Sequence, residues 1–249
     1  MTPTQMPKPF RKGLIPTLNN MGFMLERLDP YSELFVEHMA RVGGGALDLG
    51  CAYGVATLAA LERGAHVTAC DIDPGHIEVL THRCPAEFKS RLTCVVGAVP
   101  HVDFAHEAFD AVICARMLHF LRPDDFRLAL KKIERWLKPG GKAFIVTDTV
   151  FAGPWRQKLA SYTERKARGD KWPGLIEDYA SVFPPGTDMT GAPTFINLMD
   201  PDILHRECTG AGFVVERAAF IDLDSPTPLD SGREGAHAGV VCLKTAASQ

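Results

Sequence analysis

The chain has 249 residues, 46% of them hydrophobic and 23% charged, with a formal net charge of −3. This is ordinary globular composition, and a chain of this length buries roughly 70–75% of its unfolded surface, so it needs no disulfide or metal staples. The acidic balance gives no reason to expect a nucleic-acid partner, and no apolar stretch of about 18 residues is present to span a membrane.

Residues 1–20, rich in Pro, Asn and Thr, read as a loose arm, and the four prolines in the first 25 residues argue against a signal peptide. Residues 31–41 read as a helix that stops at Gly43-Gly44-Gly45, and strand and helix patterns then alternate. Gly45–Leu49 is a short buried strand, Val55–Arg63 a helix, Ala65–Asp71 a second strand, and Pro74–His82 a helix with proline in its first turn. Arg91–Val96 and Phe109–Cys114 are the third and fourth strands. Over 123–137, Phe126, Ala129, Leu130, Ile133 and Leu137 follow one helical face, Asp124 and Asp125 suit the positive N-terminal end, and Pro139-Gly140-Gly141 stops the helix. Lys142–Asp148 is the fifth strand. Residues 149–199 break the rhythm with prolines at 154, 173, 184, 185 and 193 and seven aromatics, the signature of a lid or binding loop. A helix starts at Asp200-Pro201-Asp202 and ends near Gly210 and Gly212; Phe213–Ile221 and Ala238–Lys244 read as closing strands.

The order predicts an α/β fold: a Rossmann-like, mostly parallel seven-stranded sheet with helices on both faces and a lid inserted after strand 5. The expected divisions are an N-terminal arm and helix over 1–44 that caps the active site, a cofactor-binding core over 45–148, a substrate lid over 149–199, and the last helix with the closing strands over 200–249. The N-terminal arm, with Tyr31 at its helix start, is expected to close the side of the site opposite the lid. Seven cysteines, at 51, 70, 84, 94, 114, 208 and 242, are odd in number and lack a C-x-x-C pair. Cys70, Cys94, Cys114 and Cys242 fall in apolar strand-like runs and read as buried hydrophobes of a cytoplasmic protein.

The informative run is Ala46-Leu47-Asp48-Leu49-Gly50-Cys51-Ala52-Tyr53-Gly54, leaving a strand and entering a helix. Glycines there allow a tight turn and a close approach of ligand to main chain. Asp71 ends the next strand, where a carboxylate can accept hydrogen bonds from both ribose hydroxyls. A turn with no ligand, or a nicotinamide-binding Rossmann fold, are the rival readings; the latter wants G-x-G-x-x-G.

Asp48-x-Gly50-x-Ala52-x-Gly54 resembles the first motif of class I S-adenosylmethionine-dependent methyltransferases, with Ala52 where that family has a third glycine. Val67–Asp71, Phe109–Ala115, Met117–Leu121 and Leu137-Lys138-Pro139-Gly140-Gly141 match in order, so the resemblance covers about 45–148. It implies S-adenosylmethionine as cofactor, with contacts at Asp48, Gly50, Cys51, Ala52, Tyr53, Gly54, Asp71, Ile72, Ala98, Val99, Cys114 and Ala115. Ala98 stands where the family commonly has an acidic residue for the adenine amino group, which leaves backbone, apolar packing or another side chain such as Asp103 to hold the base.

The implied reaction is in-line transfer of a methyl from a sulfonium, in which alignment dominates and a base is needed only if the acceptor loses a proton. His119 is the candidate base, against the alternative of a histidine packing its loop. Arg116 is a candidate contact for the cofactor carboxylate or an acidic substrate, against a solvated surface arginine. Of the acidic groups a divalent-metal mechanism uses after the fourth and fifth strands, only Asp148 is present, and no metal is expected. The lid aromatics suit a pocket wall and a lid core equally. The expected function is methylation of a small-molecule oxygen, nitrogen or carbon by a monomer or homodimer without nucleic-acid or membrane partners. A non-catalytic cofactor-binding regulator and a protein or RNA methyltransferase are the alternatives.

Overall fold

The structure, a computed structural model, describes residues 4–9, 13–223, 229 and 234–246. Seven strands form one sheet: β3 (Gly45–Leu49), β4 (His66–Asp71), β5 (Leu92–Val96), β6 (Phe109–Ala115), β7 (Leu137–Asp148), β10 (Val214–Ile221) and β11 (His237–Leu243). Their order is β10-β11-β7-β6-β3-β4-β5. The strands from β3 to β7 are parallel, and β11 runs antiparallel to both β7 and β10. The sheet is therefore the one read from the sequence.

Alternation along the strands builds the two faces. Leu47, Val112, Ala143, Ile145 and Val240 point to one side, where they meet α4 (Pro123–Trp136) and α6 (Pro201–Gly210). Ala46, Ala111, Ile113, Phe144 and Val146 point to the other, against α1 (Pro30–Val42) and α2 (Val55–Glu62). On α4 the predicted stripe of Phe126, Ala129, Leu130 and Ile133 is fully buried, with Trp136 beneath it. A third helix on the α1 side, α3 (Pro74–Arg83), begins at Asp73, whose carboxylate accepts from Gly75 N–H. Among the described residues no helix is long and apolar enough to cross a membrane.

Four expectations need correction. The arm is not loose throughout: β1 (Leu14–Pro16) and β2 (Phe23–Leu25) form a hairpin whose Ile15 and Met24 pack on Ala52, Tyr53 and Val79. β7 begins at Leu137, five residues early, and carries Pro139-Gly140-Gly141 within it; the chain passes this point because Gly140 takes φ +80. Cys94 is exposed, since β5 is the edge strand and has a neighbour on one side only. The arm does wall the cavity through its hairpin, but Tyr31 itself takes no part: it is fully buried, with its ring against Gly239 of β11 where a side chain would leave no room.

The segment 149–199 contains α5 (Leu159–Ala167) and the two-residue strands β8 (Leu175–Ile176) and β9 (Ile196–Asn197). It has a small core of its own, with Val150, Trp155, Tyr162, Val182, Ile196 and Leu198. It is also tied to the sheet: Met199 N–H donates to Asp148 C=O, and Trp172 inserts into the main core beside Phe126.

Candidate active site

The winding direction reverses between β3 and β6, and the loops beyond their carboxyl ends part to leave a crevice, the usual ligand position in such sheets. Here it is a cavity of about 1960 Å³, walled by the β1–β2 hairpin, the sheet edge and the segment after β7. A single drug-sized ligand occupies roughly 300–1,000 Å³, so this space accommodates a cofactor and an acceptor side by side.

Of the predicted cofactor contacts, Asp48, Gly50, Cys51, Ala52, Asp71, Ile72, Ala98, Val99 and Ala115 line the cavity. Tyr53, Gly54 and Cys114 do not. The helical turn entering α2 swings Tyr53 away, so that its hydroxyl donates to Pro16 C=O (2.7 Å) under the hairpin. Gly54, at φ +79, faces Leu80 of α3, and a Cβ would collide with that side chain. Its glycine serves helix packing rather than ligand approach. Cys114 lies in the core below. Asp103 is engaged elsewhere, accepting from the Trp136 indole (2.7 Å) and from Arg135, and the half-exposed Ile72 and buried Val99 are the apolar surfaces beside Ala98.

Asp71 is the hub of the cavity end beside the Gly50–Ala52 turn. Its Oδ2 accepts from Ala52 N–H (2.8 Å), and its Oδ1 accepts from Asp73 N–H (3.0 Å) and pairs with His76 Nδ1 (2.9 Å). Leu18 N–H donates to His76 Nε2 (3.0 Å), which puts the proton of the neutral ring on Nδ1, toward Asp71. Three donors leave Asp71 Oδ2 with one open lone pair at the cavity wall. Ala52 adopts φ +44, a left-handed conformation that favours glycine, and its bond to Asp71 holds it there. Neither His76 nor the hairpin that reaches it was signalled by motif or spacing.

Asp48 is buried beside this loop and accepts from the Thr57 hydroxyl (2.6 Å). Burial, with the Asp71 charge adding to it and Thr57 opposing, pushes its carboxyl up to about 6. A folded-state value above the ordinary one means that stability is complete below about pH 4 and is lost as pH rises to about 6, by roughly 1–3 kcal/mol. Asp48→Asn, which keeps an acceptor for Thr57, is expected to be more stable than wild type at about pH 8 by that amount, with the gain vanishing near pH 4. Urea midpoints across this range check it; a gain that does not change with pH contradicts it.

At the other end of the cavity the charged groups gather. Arg116, left-handed at φ +57, is not a free surface arginine: its guanidinium pairs with Asp29 Oδ2 (3.1 Å). Asp29 also caps α1, accepting from Tyr31 and Ser32 N–H, and so fixes the arm helix to the β6 loop. His119 lines the cavity and is almost fully buried, which lowers its pKa. Its Nδ1 accepts from Asp148 N–H (3.1 Å). The lone pair of Nδ1 is thereby used and the proton sits on Nε2, so the neutral ring offers a donor; this geometry corrects the reading of His119 as the base.

Asp148 meets a second imidazole, His237, whose Nδ1 lies 3.0 Å from Asp148 Oδ1. Burial raises the Asp148 carboxyl, but the two histidines and Arg116 outweigh it and hold the group well below the usual carboxylate range. His237 was missed because 88 residues separate it from Asp148 and only the β7–β11 register sets them opposite each other. Phe120, Trp155, Tyr179 and Phe183 form an aromatic wall here. Trp172, grouped with them in the sequence, lies outside the cavity.

A family model described as "Methyltransferase domain" matches residues 47–145, the stretch that builds the loop, Asp71 and the β6 edge. Over this stretch the chain is similar to methyltransferase domains, and its seven-stranded fold falls among those of S-adenosylmethionine-dependent methyltransferases. It is 31% identical to a carboxy-S-adenosyl-L-methionine synthase of Chromohalobacter salexigens, over 53% of this chain and 49% of that protein. It is 33% identical to a mitochondrial ubiquinone biosynthesis O-methyltransferase of Schizosaccharomyces pombe, over 49% of this chain and 44% of that protein. The matched stretch thus spans about half the length of these relatives. The fold matches a Methanosarcina mazei SAM-dependent methyltransferase with TM-score 0.64 at 19% identity, covering 88% of this chain and 99% of that one. It also matches Burkholderia thailandensis 1,6-didemethyltoxoflavin-N1-methyltransferase with bound 1,6-didemethyltoxoflavin and S-adenosylhomocysteine, with TM-score 0.60 at 20% identity over 87% of this chain and 77% of that one.

Proposed function

We propose that this protein is an S-adenosylmethionine-dependent methyltransferase acting on a small-molecule acceptor by in-line displacement. The observation that carries the proposal is one continuous cavity. It joins the Gly50–Ala52 loop and Asp71 at one end to the aromatic wall and the polar groups around Asp148 at the other. The residues fit the cofactor: the open lone pair on Asp71 Oδ2 suits a ribose hydroxyl, Ile72 and Val99 flank the place for adenine, and Gly50 and Ala52 expose backbone. When bound, the cofactor supplies a methyl already activated by positive sulfur.

The chain's own groups then have an orienting task, and alignment of acceptor and methyl accounts for most of the rate gain. His119 donates through Nε2. Arg116, charged and one-eighth exposed, holds the hairpin side shut through Asp29. The segment 149–199 acts as the acceptor wall and excludes water. The assignment extends over 45–148 for the cofactor, with the described residues of 1–44 and 149–199 capping the site and α6, β10 and β11 completing the sheet.

Among the described residues no group of three or more His, Cys, Asp and Glu is arranged to hold a metal ion. Turnover is expected to persist after chelator treatment; loss on chelation with recovery on adding magnesium contradicts this part of the proposal. A metabolite screen that reads formation of S-adenosylhomocysteine tests the function itself. An acceptor-dependent signal supports it, and binding without turnover for every acceptor class identifies a regulatory cofactor binder instead.

A further inference from the structure

We propose that His237 is the general base of the transfer and that the acceptor is an aromatic hydroxyl compound whose ring lies on the lid's aromatic side chains. The inference rests on the methyl-transfer reading above and names its missing base and substrate class.

Hydrogen-bond partners fix the tautomers of two imidazoles here. His119 and His237 both line the acceptor end of the cavity, and Asp148 orients both, by different atoms. Toward His119 it presents a backbone N–H, which can only donate, so Nδ1 of that ring is the acceptor and Nε2 carries the proton. Toward His237 it presents a carboxylate oxygen, which when ionised can only accept, so Nδ1 of that ring carries the proton and Nε2 has the lone pair. One residue therefore sets two neighbouring imidazoles in opposite states, one a donor and one a proton acceptor. A carboxylate behind an imidazole, here the partly buried Asp148, fixes its tautomer and stabilises the imidazolium formed when the ring takes a proton. The other ionisable groups lining the cavity away from Asp71 are Arg116 and His119 from the β6 loop, Tyr179 from the segment after β7, Glu26, Arg27 and Asp29 before α1, and Asp222 and Glu234 beside β10 and β11.

The substrate class follows from the walls. Trp155, Tyr179 and Phe183 stack within 6.0 Å of one another, and Phe120 packs on His119 at 4.4 Å between ring centroids. Such surfaces favour a planar ring. A phenolic hydroxyl keeps its proton at neutral pH and is a poor nucleophile until that proton leaves. In the step proposed, the hydroxyl oxygen supplies the electron pair of the new O–CH₃ bond. The pair of the broken S–C bond stays on sulfur, which loses its positive charge, and the hydroxyl proton passes to His237 Nε2.

Two measurements test this. In long-range ¹⁵N spectra of histidine-labelled protein saturated with S-adenosylhomocysteine at about pH 8, His237 is expected in the Nδ1–H form and His119 in the Nε2–H form; the opposite form for His237 overturns the proposal. His237→Asn retains a donor toward Asp148 while removing Nε2, and unchanged S-adenosylhomocysteine affinity reports that it is folded. With S-adenosylmethionine and a series of substituted phenols, it is expected to lose on the order of 100-fold or more in kcat for phenols protonated at the assay pH. For nitrophenols already ionised it is expected to keep nearly full rate. Equal loss for both classes, or loss for neither, overturns the proposal. A wild type that binds S-adenosylhomocysteine yet methylates no phenol also overturns it while leaving the cofactor reading standing; one that fails to bind S-adenosylhomocysteine fails the cofactor reading itself.

Discussion

Trp172→Ala is expected to remove about 3–5 kcal/mol of stability, the cost of deleting a large buried aromatic. In a chain of this size that lowers the thermal midpoint by roughly 6–20 °C. The indole lies edge-on to Phe126 at 5.7 Å between centroids, with the guanidiniums of Arg127 and Arg206 over its ring at 5.3 and 5.6 Å. It is the point at which the segment after β7 is pinned to α4 and α6. Since it does not line the cavity, its loss should leave the affinity for S-adenosylhomocysteine nearly intact under native conditions. Trp155→Ala, at an equally buried indole, should also cost stability, but because Trp155 lines the cavity it should in addition raise the acceptor KM, which Trp172→Ala should not. A Trp172→Ala midpoint within about 2 °C of wild type, the range of ordinary surface substitutions, would show that the segment is not anchored as described.

Asp71→Ala is expected to weaken S-adenosylhomocysteine binding on the order of 10- to 100-fold by calorimetry. One hydrogen bond to a charged acceptor contributes roughly 1.5–3 kcal/mol, and Asp71 has one lone pair open to the cavity. The same substitution frees Ala52, which is held in a left-handed turn by Asp71, and breaks the link from Asp71 through His76 to Leu18 of the hairpin. Asp71→Asn can retain one acceptor but must turn an N–H toward one of three existing donors, so it too should bind weakly. Affinity equal to wild type in a folded Asp71→Ala protein would remove Asp71 from the site.

The sheet was legible because each central strand is a short apolar run bounded by glycine, proline or a helix stripe, and parallel strands buried on both faces read that way. The cofactor loop was legible for a different reason, since Asp48, Gly50 and Asp71 stand at spacings set by one strand–turn–helix unit. What escaped was long-range. The hairpin strands are only three residues each, and their packing partners, Tyr53 and Val79, come from elsewhere in the chain. His237 acquires meaning only when β11 inserts beside β7 and sets it opposite Asp148. His119 does line the cavity, as its position after the fourth strand suggested, but which of its ring nitrogens meets a backbone N–H is not encoded in spacing. Tyr53 and Gly54 were assigned to the ligand by motif alone; the first turn of α2 rotates them toward the hairpin and α3 instead.

The most direct measurement of the central claim is a crystal structure of the protein with S-adenosylhomocysteine. The account predicts a ribose hydroxyl on Asp71 Oδ2, adenine between Ile72 and Val99 beside Ala98, and the sulfur turned toward the space between His119 and His237. A nucleoside bound at the aromatic wall, or an empty cavity at saturating ligand, would contradict it.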